Sequence, residues 1–584
     1  MINALLVYPK FTPSYWSGTY ALGFIGIKAL MPPLGLLSIA SLFPKHYKLE
    51  LVDMNVEPLT DQHLKWADYL FLSAMIVQQQ SFKDVVKRGR AAKIPIIAGG
   101  PYPTSFYTEI TGVDYFVLGE VEEFFEHFLM CLEKGTAVHL NTPPRDNGGK
   151  LKRPDISAVP PPNYDLIKMN DYNSMTLQFS RGCPFNCEFC DITKLFGRIP
   201  RTKGMEQVID ELQNLYDHGW RRSVFFVDDN FIGNRKKTHE VLPAIIEWQK
   251  ERGYPFTFFT EASADLSENP KLMDAMADAG FDMVFLGLET PDTEGLRQIG
   301  KRQNIRHDEP DYLLHVVREI QKHGMEVSAG FIIGLDSDKE NIFDSQVSFI
   351  QQAGIPMAMV GLLTAFKGTK LYKRLMEEKR LISESNGNNV SFVLNFIPKM
   401  ERQTLIEGYK RVLGTIYDSS LCNYFERSYT LLKNWNRHIQ CTRHLERADI
   451  VAFFKSLKIQ LFSRQGPAYL KFLVRVVVYR PKLFAEAIRL AIMGYHYQKV
   501  TSQQILVDEF RAFIEDECRI FNSMMDSFVQ YQGRQKREMQ AYLGRRLSDV
   551  KKRYRKIDNE FRASVDDALN LFHQKIRNLL GSFF

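Results

Sequence analysis

The sequence predicts an α/β protein built in three parts. These are an amino-terminal Rossmann-like domain, a partial (β/α)6 barrel and a mostly α-helical carboxyl-terminal region. Three observations predict it. Short apolar runs alternate with helical stretches over roughly the first 140 residues, the alternation resumes after a proline-rich stretch, and strand-like runs fade after about residue 395. Continuous apolar runs with helices between them mark a parallel sheet covered on both faces. Of the 584 residues 45% are hydrophobic and 24% charged, which supports several cores and excludes disorder along the whole chain.

The first part carries β-rich runs at Ala4–Tyr8, Leu49–Asp53, Tyr69–Ser73, Pro95–Ala98 and Tyr115–Leu118. In a doubly wound domain ligands bind at the carboxyl ends of the strands. There the chain places Ser73, Gly99-Gly100 and Gly119-Glu120. This domain is expected to span 1–140. A polar, proline-rich stretch from Asn141 to Asp165 reads as a linker or strap, and the linker is set at 141–170.

The second alternation supplies candidate strands at Met175–Phe179, Ser223–Val227, Phe256–Thr260, Met283–Leu286, Val327–Ile333 and Ala358–Leu363. Helical stretches such as Gly204–His218 and Pro270–Ala279 separate them. Six βα units over 171–394 suit a partial barrel, with the chemistry on the loops after the strands. Residues 395–584 form the helical region. From 401 onward the chain carries 32 basic and 19 acidic residues, against 43 and 49 in the preceding 400. The overall net charge of +7 hides this asymmetry and does not by itself predict nucleic-acid binding.

Seven cysteines in so long a chain argue against a disulfide framework, and the start MINALLVYPK has no basic leader. A protein of a reducing, cytoplasmic compartment is expected. Residues 451–500 hold nine Lys or Arg against one acidic residue, Glu486, interleaved with aromatic and aliphatic side chains. Such a surface suits either peripheral contact with the inner membrane face or a buried helix pair whose long cations reach outward.

The motif SRGCPFNCEFCD carries the strongest chemistry. Cys183, Cys187 and Cys190 are spaced Cys-x-x-x-Cys-x-x-Cys just after a candidate strand. Thiolates suit iron–sulfur clusters or zinc. Three on a tight loop can bind three irons of a 4Fe-4S cluster and leave the fourth open. A zinc site would need a fourth ligand, for which Asp191 is the nearest candidate; three metal-free buried cysteines are the remaining reading.

This pattern resembles the radical S-adenosylmethionine (SAM) superfamily, and the resemblance extends beyond the triad. Phe189 stands just before Cys190, where family members pack the adenine. Asp228 and Asp229 in FFVDDNF fall where the family holds the methionine amino group. Glu261 and Ser263 in FFTEAS fall where a ribose contact is expected, and Glu289 in FLGLET stands at the rim. Gly330, Ile332 and Gly334 fit the family's Gly-x-Ile-x-Gly adenine-backbone pattern. The resemblance implies that the open iron chelates SAM, and that one electron releases a 5′-deoxyadenosyl radical that takes hydrogen from substrate. An electron donor such as flavodoxin or ferredoxin is implied with it.

A Rossmann-like domain ahead of this barrel resembles the cobalamin-binding members, through MPPLGLLSIAS, LVDMN at Asp53, LSAMIVQQQ from Ser73, IAGGPYPT and DYFVLGE. The alternative is that the glycines only make tight turns. Members with a lower axial histidine carry Asp-x-His-x-x-Gly. Here the loop reads Asp53-Met54-Asn55-Val56-Glu57, so cobalamin is expected without a protein histidine ligand, and His63 is taken as a surface helix residue. From NFIPKM onward the chain resembles the subgroup that includes hopanoid C-2 methylases. The implied function is methylation of an unactivated carbon of a small-molecule or lipid substrate. A non-methylating relative, such as an anaerobic tetrapyrrole oxidative cyclase, is the alternative. A tRNA methylthiotransferase would need a second cluster, and Cys131 is the only cysteine before the triad.

Overall fold

A computed structural model describes residues 1–145, 152–306, 308–309, 311–436, 447–528 and 534–581. Two six-stranded parallel sheets organise it. The first runs β2–β1–β3–β4–β5–β6, with β1 Ile2–Tyr8, β2 Tyr47–Asp53, β3 Tyr69–Ser73, β4 Ile96–Gly99, β5 Tyr115–Val117 and β6 Leu140–Asn141. The strand order reverses beside β1, so the carboxyl ends of β1 and β3 flank a crevice, the usual ligand position in this topology. The short strand β6 pairs with β5 and carries the sheet just past residue 140.

A two-stranded antiparallel hairpin of β8, Ser180–Arg181, and β9, Arg201–Thr202, brackets the cysteine loop. The second sheet runs β14–β13–β12–β11–β10–β7. Its strands are β7 Met175–Leu177, β10 Ser223–Phe226, β11 Thr257–Ala262, β12 Phe281–Glu289, β13 Glu326–Ile333 and β14 Ala358–Leu362. β7 and β14 are its two edges and do not pair, so the sheet is a partial barrel. Its two faces differ in composition. Val224, Phe226, Phe258, Thr260, Val284 and Leu286 are fully buried against the surrounding helices. By strand alternation Phe225, Phe259, Glu261, Phe285 and Gly330 share the inner face.

The described part of the proline-rich stretch from residue 152, and the segment that follows it, is packed rather than loose. Ile156, Tyr164 and Tyr172 are buried. The Tyr164 hydroxyl donates to the Thr176 carbonyl at 2.7 Å, and the Tyr172 hydroxyl donates to Asp53 at 3.1 Å. The carboxyl-terminal region folds back on the amino terminus. Its 45-residue helix Phe484–Phe528 places Thr501 Oγ1 2.7 Å from the Tyr15 hydroxyl. Gly494 on that helix lets it pass closely over Tyr424, whose ring lies 2.4 Å from where a Cβ would stand. No helix among the described residues is long and apolar enough to cross a membrane.

Candidate active site

Cys183, Cys187 and Cys190 lie on the loop between β8 and the short helix Ile192–Leu195, all partly exposed. Among the described residues no three His, Cys, Asp or Glu side chains gather about a single ion position. The surroundings are built for anionic sulfur. The Asn230 amide donates toward Cys183 Sγ at 4.0 Å, and the Gln303 amide toward Cys187 Sγ at 3.9 Å. Lys301 stands close enough to draw the Cys183 and Cys190 thiols toward ionisation. Burial opposes it and pushes the metal-free Cys190 thiol up to about 12. Amide donors and an ammonium turned on three sulfurs fit thiolates that share their charge with iron.

Lys301 pairs with Glu289 at 2.6 Å, both largely buried. Burial works against the ammonium, but Glu289 and the thiols of Cys187 and Cys190 outweigh it and hold Lys301 firmly charged. Glu289 has φ 65, a left-handed backbone that a non-glycine residue adopts at a cost. Gln346 donates to its carbonyl at 3.1 Å and pins that turn. Gly287 leaves room for the pair, since a Cβ there would meet Glu289 Oε1 at 2.4 Å and Lys301 Nζ at 2.5 Å. The Lys301 ammonium also lies 6.0 Å from the Phe189 ring centre, so Phe189 and Glu289 share one corner of the site.

The two aspartates after β10 do different work. Asp228 accepts from the Phe179 and Ser180 amides, each at 2.8 Å, and from the Ser180 hydroxyl at 2.7 Å. Its carboxylate is spent on holding the chain that enters the cysteine loop. Asp229 accepts from the Gly182 amide at 2.8 Å. Burial raises Asp228 to about 7 and Asp229 to about 6. Glu261 is half-buried on the inner face, and burial, reinforced by Asp229, pushes it up to about 8. Ser263 receives the Asn230 amide at 3.1 Å and donates to Asp265. Gly330 lies beside the Phe285 ring of the neighbouring strand, while Gly334, with φ 98, turns the chain so that Asp338 accepts its amide at 2.8 Å.

Arg374 anchors the cysteine loop from behind. It donates to Glu188 at 2.6 Å and to Asp336 at 2.8 Å, and Arg380 reaches Asp336 at 2.6 Å. Glu188 sits between Cys187 and Phe189, so the loop is tied to the helix Lys370–Glu377. Sequence reasoning missed Asn230, Lys301, Gln303 and Arg374. Asn230 sits in FFVDDNF beside the two aspartates that drew attention there, the other three lie on segments with no motif of their own, and only the fold brings Asn230, Lys301 and Gln303 to the sulfurs.

At the carboxyl edge of the first sheet Gly100 has φ 86, and a Cβ there would meet Ser73 Oγ at 2.6 Å. Ser73 and Gly99 pair across β3 and β4, and Gly119 follows β5. The acidic groups nearby are tied up. Buried Asp53 is held by Asn55 and Tyr172, and Glu120 is gripped by Arg153, Arg181 and Arg201 at 2.8–3.1 Å. The groups bordering β3, β4 and β5 at this edge are backbone and the Ser73 hydroxyl. That suits a large neutral macrocycle recognised through its amide substituents. Asn55 stands where a histidine ligand would be, and its amide is engaged by the Phe11 amide and Asp53. His63 caps its own helix at Thr60, away from this edge.

Comparison with known proteins follows the same division. The model of the Radical SAM superfamily matches residues 177–345, the B12 binding domain matches 23–129, and a domain of unknown function, DUF4070, matches 369–507. An uncharacterized methyltransferase of Synechocystis sp. is 41% identical over 431 residues, covering 73% of this chain and 78% of that protein. The hopanoid C-2 methylase of Rhodopseudomonas palustris is 36% identical over 394 residues, covering 67% and 73%.

The chain belongs to the cobalamin-binding radical SAM methyltransferases.

Among solved structures, the cobalamin-dependent SAM radical enzyme OxsB shares this methyltransferase's fold at a TM-score of 0.56 and 14% identity, covering 94% of this chain and 84% of that one. The cofactors of the methyltransferase are a 4Fe-4S cluster, SAM and cobalamin. It acts on a small-molecule substrate with an external reductant.

Proposed function

We propose that this methyltransferase methylates an unactivated carbon of a hydrophobic, hopanoid-like lipid. The inner face of the barrel carries the proposal. Phe225 and Phe259 stack at 4.6 Å between centres with planes 7° apart. Trp16, from the segment after β1, lies on Phe225 at 6.5 Å and on Phe285 at 5.3 Å. Four aromatic faces and a glycine make an apolar floor that favours a substrate with extensive hydrocarbon surface. The 36% identity to a hopanoid C-2 methylase supports the same substrate class.

In this reading Cys183, Cys187 and Cys190 hold the cluster. Phe189, Asp229, Glu261, Ser263, Glu289, Gly330, Ile332 and Gly334 line the SAM site, and Asp228 fixes the backbone leading into it. Ser73, Gly99, Gly100, Gly119 and the backbone of Glu120 border cobalamin, bound without a protein histidine. Residues 1–140, 171–394 and 395–584 act as the three working parts, joined by 141–170. When bound, the cofactors supply a carbon-centred radical and a transferable methyl group. The protein's share is position and exclusion. Arg153, Arg181 and Arg201 grip Glu120 and so hold the first domain against the cysteine loop. Glu261, raised to about 8, keeps its proton at neutral pH and adds no charge beside the aromatic floor. The aromatic floor keeps water from the reacting carbon. Flavodoxin or ferredoxin serves as the reductant, at the cytoplasmic face of the inner membrane where such a lipid resides.

The test is anaerobic reconstitution with iron, sulfide and hydroxocobalamin in detergent, followed by incubation with SAM, reductant and a hopanoid. A hopanoid heavier by one CH2, formed with S-adenosylhomocysteine and absent from Cys187→Ala, is the expected result. Methyl transfer to a tetrapyrrole or peptide but not to the hopanoid overturns the lipid reading.

A further inference from the structure

The helix Arg447–Leu461 turns apolar side chains both ways, with Phe453 and Leu457 packed partly buried against the core. It buries Ala452, Ser456 and Gln460, and it shows Ile450 and Phe454 to solvent. In its small polar stripe Ser456 Oγ lies 3.0 Å from the Tyr469 hydroxyl and takes the Gln460 amide at 3.1 Å. The next helix, Gly466–Tyr479, buries Tyr469, Phe472, Leu473 and Val476 and exposes Leu470, Val474 and Val478. Phe462, in the turn between them, is 86% exposed, and Phe454 is 62% exposed. A helical hairpin that hides serine and glutamine while presenting phenylalanine and valine has an apolar face meant for something other than water.

Charge identifies the occupant. Between Asp449 and Glu486 the sequence has no acidic residue. Lys458, Arg464 and Lys482 are exposed around the apolar face, with no carboxylate partner among the described residues. Lys471 and Arg475 differ, being committed to Glu426 at 2.7 and 2.6 Å. An apolar helix face rimmed by uncompensated cations, on a chain with no crossing helix among its described residues, matches a bilayer surface carrying negative headgroups.

We propose that the hairpin 447–479 is a monotopic docking face for an anionic lipid bilayer. Its place in the fold gives this a use. Lys455 donates to the Gly23 carbonyl at 3.2 Å, tying the hairpin to the helix Thr19–Ile25. That helix begins three residues after Trp16, the side chain that lies over the aromatic floor. Docking therefore sets the membrane beside the element that carries Trp16. The inference deepens the lipid-substrate reading but does not depend on it, because binding to a bilayer is measured without turnover.

The experiment is flotation of the full chain, without SAM, on vesicles of phosphatidylglycerol and phosphatidylethanolamine and on vesicles of phosphatidylcholine alone. The chain is expected to float with the anionic vesicles and to be released by salt. The pair Phe454→Ser and Phe462→Ser should lower the bound fraction by roughly tenfold or more, since two large apolar side chains leave the interface. Lys458→Glu with Arg464→Glu should abolish the preference for anionic vesicles. All these positions are exposed, and retained cobalamin binding reports that the variants fold. A wild-type chain that stays below the lipid overturns the proposal. So does a self-associated species in sedimentation velocity that the serine pair converts to monomer, because the face then meets a second copy. Loss of hopanoid methylation in detergent with flotation intact would instead sink only the substrate reading.

Discussion

Glu120 Oε1 lies 2.8 Å from Arg201 Nη2, across the seam between the cobalamin domain and the hairpin that brackets the cysteine loop. Arg181, two residues before Cys183, reaches the other carboxylate oxygen at 3.1 Å. Arg153 adds a third contact and donates to the carbonyls of Lys194 and Leu195, just beyond Cys190. One buried carboxylate thus joins the turn after β5 to both flanks of the loop. Removing it takes the shared carboxylate from three guanidinium groups in a half-buried seam, leaving Arg181 with Glu122 and the other two with backbone carbonyls. Glu120→Ala should lower stability by about 3 kcal/mol. Denaturant unfolding gives the loss, and faster hydrogen exchange around Leu195 locates it. Unchanged exchange there would show that the seam is held by other contacts.

The sulfur-facing amides give a second expectation. Asn230 and Gln303 each donate toward a cysteine sulfur and stabilise negative charge on it. Asn230→Leu also strips Ser263 of the amide donor it receives at 3.1 Å. Losing such a contact typically weakens a metal site by roughly ten- to a hundredfold. Iron retained after chelator challenge should fall for both Asn230→Leu and Gln303→Leu, with folding intact by circular dichroism. Full iron retention in both variants would assign the amides a packing role only.

Cobalamin should bind without an imidazole below it. Asn55 occupies the loop position in question, and its amide is engaged with the Phe11 amide and Asp53. Histidine labelled with 15N should therefore leave the electron paramagnetic resonance spectrum of bound cob(II)alamin unchanged. A new hyperfine splitting on labelling would place a histidine on cobalt.

Much of this was legible in sequence because it is local. Every candidate strand of both sheets is present, with ends that coincide or are displaced by up to three residues, since an apolar run marks a buried strand but not the last residue to pair. Thus Pro95–Ala98 becomes Ile96–Gly99. The strands β6, β8 and β9 were not legible: two residues each carry no periodicity, and they exist because a neighbour lies alongside. Side-chain roles were harder still. Asp228 and Glu120 stand at strand ends where ligands bind, yet their carboxylates serve backbone amides and arginines. Nothing in a strand-end acidic residue separates these uses. Trp16 carries no motif, and its place over Phe225 and Phe285 follows only from how the segment after β1 crosses the barrel. The basic carboxyl-terminal stretch admitted a buried pair or a surface; Phe454 and Phe462 are exposed, and vesicle flotation tests the surface reading.

His496 makes the fastening of the carboxyl-terminal helix sensitive to acid. It is fully buried where the helix Phe484–Phe528 meets the amino-terminal segment. Its Nδ1 accepts the Tyr20 amide at 3.3 Å and its Nε2 donates to the Tyr15 carbonyl at 3.1 Å, which requires the neutral ring. Burial lowers it from 6.5 to about 4, against the pull of the backbone carbonyls. The unfolded chain therefore takes up this proton at a higher pH than the folded chain does. The stability linked to the neutral ring is complete above about pH 6.5 and is lost as pH falls toward 4, by about 3 kcal/mol in all. Buried Asp228 and half-buried Asp229 and Glu261 are raised, so their contributions run the other way, and a single pH profile would mix the two. Comparison with His496→Gln isolates the histidine, because a glutamine amide can accept from one backbone group and donate to the other without titrating. The difference in unfolding free energy between the two proteins should be steepest between pH 4 and 6.5 and flat above it. A difference that does not change with pH would mean that the folded protein admits the charged ring.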